Sequence, residues 1–218
     1  MQSAHQFLAR NHALKTLVAA AYSLSPQAIS GGPAWVDSGH YDIVAKAPNE
    51  IQPNLDEQMA MLRQLLVERF NLTFHREPKE LSIFALSVGK SGPKLHESTE
   101  SPDASPEGPP PLIFVISPPV VRLTGRNATM AELASVMQRA ALDRPVVDKT
   151  GLTGRYDFDL EFTPDQTQFG GGLERGTDDS PKPGLFAAMQ QQLGLKLEAT
   201  KGTVDMLVID RVQRPSEN

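Results

Sequence analysis

The stretch TGRYDFDLEFTP, residues 153–164, alternates between apolar and acidic side chains. Successive side chains of a strand point to opposite faces, so one face of this segment is apolar and the other carries carboxylates. The pattern predicts a strand with one buried face. Its apolar positions are Tyr156, Phe158, Leu160 and Phe162, and its acidic positions are Asp157, Asp159 and Glu161.

The three acids allow two interpretations. As a metal site they would hold Ca²⁺, with loop acids completing the shell, although a hard cation prefers oxygens that converge from a turning loop. As the polar side of a half-buried strand they need no ligand. We favour the second interpretation, because the aligned face of an earlier segment reads Asp42, Val44, Lys46. The candidate metal ligands are Asp157, Asp159 and Glu161, with Asp165, Asp178 and Asp179 in the following loop.

Charge and composition exclude one class of partner. The chain has 218 residues, a net charge of -5 and 6% aromatic residues, and Lys and Arg are not clustered. Nucleic-acid binding depends on concentrated positive charge, so we expect no nucleic-acid partner.

The same composition bears on location. No apolar run approaches the roughly 20 residues that span a bilayer, so we expect no membrane insertion. The segment MQSAHQFLARNHALK lacks the apolar core of a signal peptide, which is compatible with a cytoplasmic location for the chain as given. The absence of cysteine removes disulfides and thiolate sites.

Four sequence blocks recur in the same order in the second half. Within them Asn71 aligns with Gly194, and these are the residue types that accept the left-handed conformation at a helix C-terminus. The order predicts an internal duplication. The aligned pairs are LARNHALKTLVAAA with LTGRNATMAELASVM, SGHYDIVAKAP with TGRYDFDLEFTP, LLVERFNLTFHRE with AMQQQLGLKLEAT, and LSIFALSV with VDMLVIDR.

Helical spacing recurs in both copies. One stripe is Leu14, Leu17, Val18 and Ala21, and the other is Met130, Leu133, Ala134 and Met137. Thr129 and Glu132 form a capping-box pattern, and a second helix is predicted to start near Asn54 with Glu57 three residues on. It carries Met59, Leu62, Leu66 and Phe70, and its counterpart carries Phe186, Met189 and Leu193.

The remaining segments predict strands. LIFVIS opens the second copy, LTFHRE is expected to pair with LSIFALSV around EPKE, and LKLEAT with VDMLVIDRV around KG. We therefore predict an α+β fold of two pseudo-symmetric repeats, each a small mixed β-sheet with two helices packed on it.

Two segments rich in Pro, Ser, Gly and acidic residues are expected to be mobile. The predicted organisation is a first repeat at 1–90, a flexible linker at 91–111 and a second repeat at 112–218 with a mobile loop at 163–184. His96 and Glu97 fall in the linker.

The pattern Gly-x-Tyr-Asp occurs in both copies, and its acid is expected to accept backbone N–H groups of the preceding turn. The same region of the first copy, ISGGPAWVDSGHYD, holds the single tryptophan. An aromatic residue before a strand either covers a core or contacts a ligand. The candidate binding residues are Trp35, His40 and Tyr41.

Motifs for catalysis are absent from the sequence. It contains no G-x-S-x-G elbow and no H-E-x-x-H, and GKSGPK has the wrong spacing for a phosphate loop. A Ser/His/Asp set assembled in space stays open, because such triads are defined by geometry. Catalytic residues are therefore unassigned.

Several segments resemble a family. ISGGPAWVDSGHYDIVAKAP, LLVERFNLTFHREPKELSIFALSVGKSGPKL, RPVVDKTGLTGRYDFDLEFTPD and LFAAMQQQLGLKLEATKGTVDMLVIDRVQRPSEN are similar to a bacterial domain of unknown function found in soil-associated proteins. TGLTGRYDFDLEF is also similar to the short N-terminal domain of secretins and TonB-dependent receptors, a module that binds partner proteins. The resemblance implies a periplasmic or secreted location, and some members are joined to membrane-bound peptidases.

We expect a non-enzymatic extracytoplasmic binding or interaction module with a protein partner or a small-molecule ligand. One alternative is a hydrolase of ester or lactone bonds, either Ca²⁺-dependent or with a Ser/His/Asp set. A second alternative is a ligand-sensing domain coupled to a membrane peptidase. No cofactor is expected in the leading interpretation.

Overall fold

A computed structural model of the chain describes residues 6–46, 53–100, 110–172 and 182–215. The fold is α+β, as the sequence predicts. The chain forms two compact units: residues 1–79 with 203–218 make unit 1, and residues 80–202 make unit 2.

The elements follow in chain order. The helices are α1 (Leu14–Ala21), α2 (Trp35–Ser38), α3 (Leu55–Phe70), α4 (Met130–Val136) and α5 (Leu185–Ala188). The strands are β1 (Gln6–Ala13), β2 (Ile29–Gly31), β3 (His40–Lys46), β4 (Thr73–Val88), β5 (His96–Glu97), β6 (Leu112–Ser117), β7 (Val120–Ala128), β8 (Val146–Asp148), β9 (Tyr156–Phe162) and β10 (Leu195–Arg211). Helix α4 continues into a π-helical turn at Met137–Ala141, and α5 into another at Met189–Leu193.

Unit 1 is built on helices α1 and α3. The predicted stripe of α1 is fully buried, and it packs with Leu62, Leu66 and Phe70 of α3. Asn54 caps α3 through a complete capping box with Glu57, and Asn71 ends it in the left-handed conformation, so both predicted helix boundaries are confirmed. Strands β1 and β3 pair antiparallel, and β2 runs parallel to the last residues of β10.

Unit 2 contains a four-stranded sheet in the order β5-β9-β7-β6. Strand β9 alternates as predicted, with its apolar residues buried. Thr129 and Glu132 form the predicted capping box of α4. Gly194 adopts the left-handed conformation that the alignment with Asn71 predicts.

One helix position differs from its prediction. The sequence predicts Phe186 on the buried stripe, but its side chain is 39% exposed, while Leu185 and Ala188 are buried. The π-helical turn after α5 changes the angular spacing, so a strict 3.6-residue period fails here. The Phe186 ring still lies against Phe84, with ring centroids 5.5 Å apart.

The two predicted hairpins were wrong. Residues 73–88 form the single strand β4, and residues 195–211 form the single strand β10. EPKE lacks the residues that a tight hairpin turn requires. Gly202 instead lies inside β10, where a Cβ would come 2.4 Å from Ile83 Cδ1. Glycine therefore provides close packing in the strand rather than a turn.

Both long strands belong to two units. Residues 73–79 of β4 and 203–211 of β10 lie in unit 1, and the other part of each strand lies in unit 2. The compact units therefore divide the chain at residues 79/80 and 202/203, whereas the predicted repeats end at residue 90 and begin at residue 112.

Matching bulges occur in the two strands that precede α1 and α4. The β1–β3 register shifts between Ala9 and His12, and the β7–β9 register shifts between Gly125 and Ala128. Asn11 and Asn127 have positive φ values of 56° and 50° at these points. Asparagine tolerates this conformation better than most residues. The bulges interrupt the alternation, which is why the sequence did not predict β1 and β7.

Part of the predicted linker makes backbone hydrogen bonds to unit 2. Lys94 N–H donates to Leu193 O at 2.8 Å, and Ser98 N–H donates to Arg155 O at 2.8 Å. Between them β5 pairs antiparallel with β9. Residues 89–98 are thus part of unit 2, whereas residues 101–109 lie outside the described ranges.

The predicted loop at 163–184 also makes hydrogen bonds where it is described. Thr163 and Gly184 form a parallel bridge, and the buried side chain of Gln168 donates to Asp165 Oδ2 at 2.9 Å. Residues 173–181, including Asp178 and Asp179, lie outside the described ranges.

Candidate functional site

The acidic row of β9 faces away from the core, and each acid has a different partner. Asp159 accepts from Thr124 Oγ1 at 2.9 Å and from Arg126 Nη2 at 2.9 Å. Glu161 is bonded to Arg122 and Lys182. Asp157 Oδ1 accepts from the backbone N–H of Asn127 at 2.8 Å. The row is therefore part of a network on the polar face of the sheet.

This network keeps two of the acids ionised. Burial by itself would raise the pKa of Asp159, but the hydrogen bonds from Arg126 and Thr124 outweigh it, so the pKa lies below its ordinary value. The hydrogen bond from Lys182, followed by that from Arg122, lowers the pKa of Glu161. Both carboxylates are therefore held in the charged form by neighbouring donors.

A pocket of about 340 Å³ opens beside this row, and we call it the unit 2 pocket. Basic, acidic and amide groups line it together with Phe158 and Leu193, which are almost fully buried. Its lining residues are Lys94, His96, Arg126, Asp157, Phe158, Asp159, Gln192 and Leu193.

The walls of the pocket are fixed by hydrogen bonds. Lys94 N–H donates to Leu193 O at 2.8 Å, and Lys94 Nζ donates to Gln191 O at 2.9 Å. Arg126 Nη1 donates to Phe158 O at 2.9 Å while its Nη2 contacts Asp159. Because these side chains are held by backbone carbonyls, the arrangement is largely formed before any ligand arrives.

Gln192 interacts with β9 in the manner of a neighbouring strand. Glu161 N–H donates to Gln192 Oε1 at 2.9 Å, and Gln192 Nε2 donates to Glu161 O at 2.7 Å. One amide side chain thus satisfies both backbone groups of a strand residue. At the other end of the pocket, His96 of β5 pairs with Asp157.

The predicted metal ligands that lie in the described ranges do not form one cluster. Within the described residues, no three His, Asp or Glu side chains form a metal-binding cluster. Asp157, Asp159 and Glu161 lie about 7 Å apart in succession along the strand face, as the pleat requires. Asp165 is exposed and bonds within its own loop, accepting from Thr167 N–H at 2.8 Å and from Gln168 Nε2 at 2.9 Å.

The predicted binding residues Trp35, His40 and Tyr41 lie together in unit 1. Trp35 packs edge-on against Tyr41 with centroids 6.4 Å apart, and Tyr41 packs against Phe70 at 5.0 Å. Arg214 lies over the Trp35 ring at 5.6 Å. His40 is exposed. Trp35 and Tyr41 border the core, which is the packing role considered for an aromatic residue at this position.

A second pocket of about 300 Å³ lies in unit 1. Lys15 and Asp37, which line it, form an ion pair at 3.0 Å. The other lining residues are Ala13, Thr16, Pro26 and Gln27. This pocket has fewer charged groups than the unit 2 pocket, and none of the three predicted binding residues lines it.

Sequence reasoning missed most of the unit 2 pocket. Lys94 and His96 fall in a segment whose composition is typical of a linker. Gln192 is the last of three consecutive glutamines, and nothing in the sequence distinguishes it from the other two. One signal was available: Arg126 belongs to the repeated Arg-Asn pair and lies three residues before Thr129, the helix cap of α4.

The fold and the pocket together define an α+β protein with a small polar pocket at a sheet edge. The chain belongs to the family described as "Protein of unknown function (DUF3738)", whose model matches residues 15–212. The expected membership in a family of unknown function is thus confirmed. No curated protein and no solved structure matches the chain. Among the described residues, no helix is long and apolar enough to cross a membrane.

Proposed function

We propose that this protein is a non-enzymatic binding module whose ligand occupies the unit 2 pocket. The supporting observation is the state of Asp159, which is bonded to Arg126 and Thr124 and has a lowered pKa. A general base works best with a pKa near the operating pH, whereas the pKa of Asp159 is lowered. A carboxylate that stays charged and accepts hydrogen bonds from Arg126 and Thr124 instead suits fixed electrostatic recognition.

The composition of the pocket supports the same proposal. No serine, threonine or tyrosine is among its described lining residues, so it offers no hydroxyl nucleophile. Its volume lies at the small end of the range for ligand sites. It therefore suits one small molecule or a short segment of a protein partner.

We place this binding outside the cytoplasm, in a periplasmic or secreted protein. The support is the resemblance to a soil-associated bacterial family and to partner-binding modules of secretins and TonB-dependent receptors. In the ligand-sensing alternative, ligand binding to this domain in a longer relative would regulate a membrane peptidase joined to it. Fractionation of the source cells with an antibody against the protein tests the location, and recovery in the cytoplasm alone would contradict it.

Nuclear magnetic resonance of the ¹⁵N-labelled full chain tests the binding proposal. A panel of small metabolites and short peptides is titrated, and backbone shifts are followed at Lys94, His96 and Asp159. Saturable shifts at these residues, lost in Arg126→Gln, support binding in the pocket. Arg76→Gln is a matched control, because Arg76 pairs with Asp205 in unit 1. Titrations that leave the pocket resonances unmoved across the whole panel would contradict the proposal.

A second candidate function is hydrolysis of ester or lactone bonds. The observation in its favour is the cross-strand pair of His96 and Asp157 at the pocket. Turnover of p-nitrophenyl esters or acyl lactones that is abolished by Asp159→Ala would support it. Loss of that turnover with EDTA would identify the Ca²⁺-dependent form. An absence of turnover across these substrates would remove this alternative.

A further inference from the structure

The edge of β9 beside the unit 2 pocket contains a gap in its backbone hydrogen bonding. Residues 155, 157 and 161 of the chain direct their backbone groups to the side of β9 away from β7. Arg155 O accepts from Ser98, Asp157 pairs with His96, and both backbone groups of Glu161 bond to Gln192. Backbone groups of a strand alternate between its two sides, so those of Asp159 point to this same side.

No described residue fills the position opposite Asp159. Continuing β5 backwards from His96 would place Lys94 there, but Lys94 N–H donates to Leu193 O instead. The segment that contains β5 therefore does not pair with Asp159. At Glu161 the side chain of Gln192 bonds to the edge of β9 instead. The gap is therefore one paired residue long and is closed at both ends.

From this gap we infer that the ligand is a short extended peptide whose central residue pairs through its backbone with Asp159, an inference that rests on the proposed binding function. A single residue can supply both the N–H and the C=O that an antiparallel pair exchanges. Strand addition of this kind is a recurrent mode of peptide recognition. The closed ends limit the added strand to about three residues.

The charges at the gap select the central side chain. Paired residues of antiparallel strands place their side chains on the same face, so this side chain lies beside the acidic row. Asp159 and Glu161 form ion pairs, whereas the described residues give Asp157 a backbone N–H and no cationic partner. A lysine or arginine at the centre of the peptide would supply one.

The neighbours of the central residue face the core side of the sheet. They lie near Phe158 and Leu193, which are almost fully buried. Only small side chains fit there without displacing the core. The class of ligand is therefore a basic residue between two small residues, in an extended backbone.

The probe for this inference is acetyl-Ala-Lys-Ala-amide, titrated into the ¹⁵N-labelled full chain. We expect the Asp159 amide to shift and its hydrogen exchange to slow. Methylating the backbone nitrogen of the lysine should weaken binding about tenfold or more, since it removes the donor and blocks close approach. Acetyl-Ala-Glu-Ala-amide should also bind more weakly, because like charges directly across a strand pair are unfavourable. Equal binding of all three peptides would overturn the inference.

Gln192→Ala provides a second test. It frees the backbone of Glu161 and lengthens the gap, so acetyl-Ala-Lys-Ala-Lys-Ala-amide should bind this variant several-fold more tightly than the parent protein. Gln190→Ala, an exposed change on the same helical segment, should leave that affinity unchanged. Equal affinity in Gln192→Ala and the parent would count against strand pairing.

The outcomes separate this inference from the proposed function. If peptides fail while another compound shifts the pocket resonances, peptide pairing is wrong and the binding function stands. If no compound in the wider panel reaches the pocket, both are wrong.

Discussion

The backbone N–H of Asn127 donates a 2.8 Å hydrogen bond to Asp157 Oδ1. Asn11 makes the same bond to Asp42 Oδ1 at 2.7 Å. In each case the donor is the left-handed residue of a β-bulge and the acceptor lies on the paired strand. The acid of each Gly-x-Tyr-Asp pattern therefore holds a bulge in place.

Removing the Asp157 acceptor should destabilise the protein. We expect Asp157→Ala to lower the free energy of unfolding by about 1.5–3 kcal/mol, the usual range for a hydrogen bond to a charged group. Asp157→Asn keeps an acceptor oxygen and should cost less. Urea denaturation measures both. Asp205→Ala, which breaks an exposed ion pair with Arg76, is the control and should cost at most about 1 kcal/mol. Equal losses for Asp157→Ala and the control would contradict this role.

Gly125 lies directly beneath the ring of Phe158. A Cβ at this position would come 2.5 Å from Phe158 Cζ and 2.6 Å from Cε1. Gly125→Ala should therefore cost about 1–3 kcal/mol through overpacking. Adding Phe158→Leu should recover part of that loss, because the smaller side chain vacates the space. Thermal unfolding of the two single variants and the double variant tests the coupling, and strictly additive losses would argue against the contact.

The two left-handed helix ends should respond differently to substitution. Gly194 has φ 66°, and a Cβ there would lie 2.0 Å from Gly92 O. Gly194→Ala should be strongly destabilising and should also disturb Lys94, whose backbone bonds to Leu193. Asn71→Gly should cost much less, since glycine accepts the same conformation and only the exposed hydrogen bond from Asn71 Nδ2 to Gln213 Oε1 is lost. Urea denaturation and the Lys94 amide shift measure the two effects. Similar stabilities of the two variants would contradict the steric argument.

Stability should fall in acid partly through Asp159 and Glu161. Both have folded-state pKa values below the ordinary value. Such groups stabilise the fold above their unfolded pKa, about 4, and that contribution is lost as pH falls through the folded pKa. Asp159→Asn combined with Glu161→Gln should flatten the dependence below about pH 4 and leave the slope near pH 7 unchanged. Urea titrations at several pH values test this, and an unchanged acid slope would contradict it. The effect should be modest, because the Asp159 side chain is 53% exposed.

Local signals predicted much of the fold. The alternation of β9, the stripes of α1 and α4, and the caps at Asn54 and Thr129 each depend on residues close in sequence. The long strands β4 and β10 could not be predicted in this way, because a strand pairs with residues that lie far away in the sequence. The Lys-Gly pair at 201–202 is typical of a turn, but Gly202 packs against Ile83 inside β10.

The duplication stays a prediction, although several local features recur at aligned positions. These are the asparagine bulges, the acid acceptors and the left-handed helix ends. The pocket was harder to predict, since its residues come from β5, β7, β9 and the end of a helix. Only the path of residues 89–98 brings Lys94 and His96 to β9, and composition alone favours a linker for that segment.

The passage of β10 into unit 1 has a consequence for synthesis. The ribosome completes residues 1–79 long before residues 203–211, yet Leu207 and Ile209 belong to the same hydrophobic cluster as Leu14 and Leu66. During translation the N-terminal residues therefore cannot complete the hydrophobic cluster of unit 1 until the end of β10 leaves the exit tunnel. Chaperone dependence during translation, rather than refolding of isolated fragments, is where this arrangement would show itself.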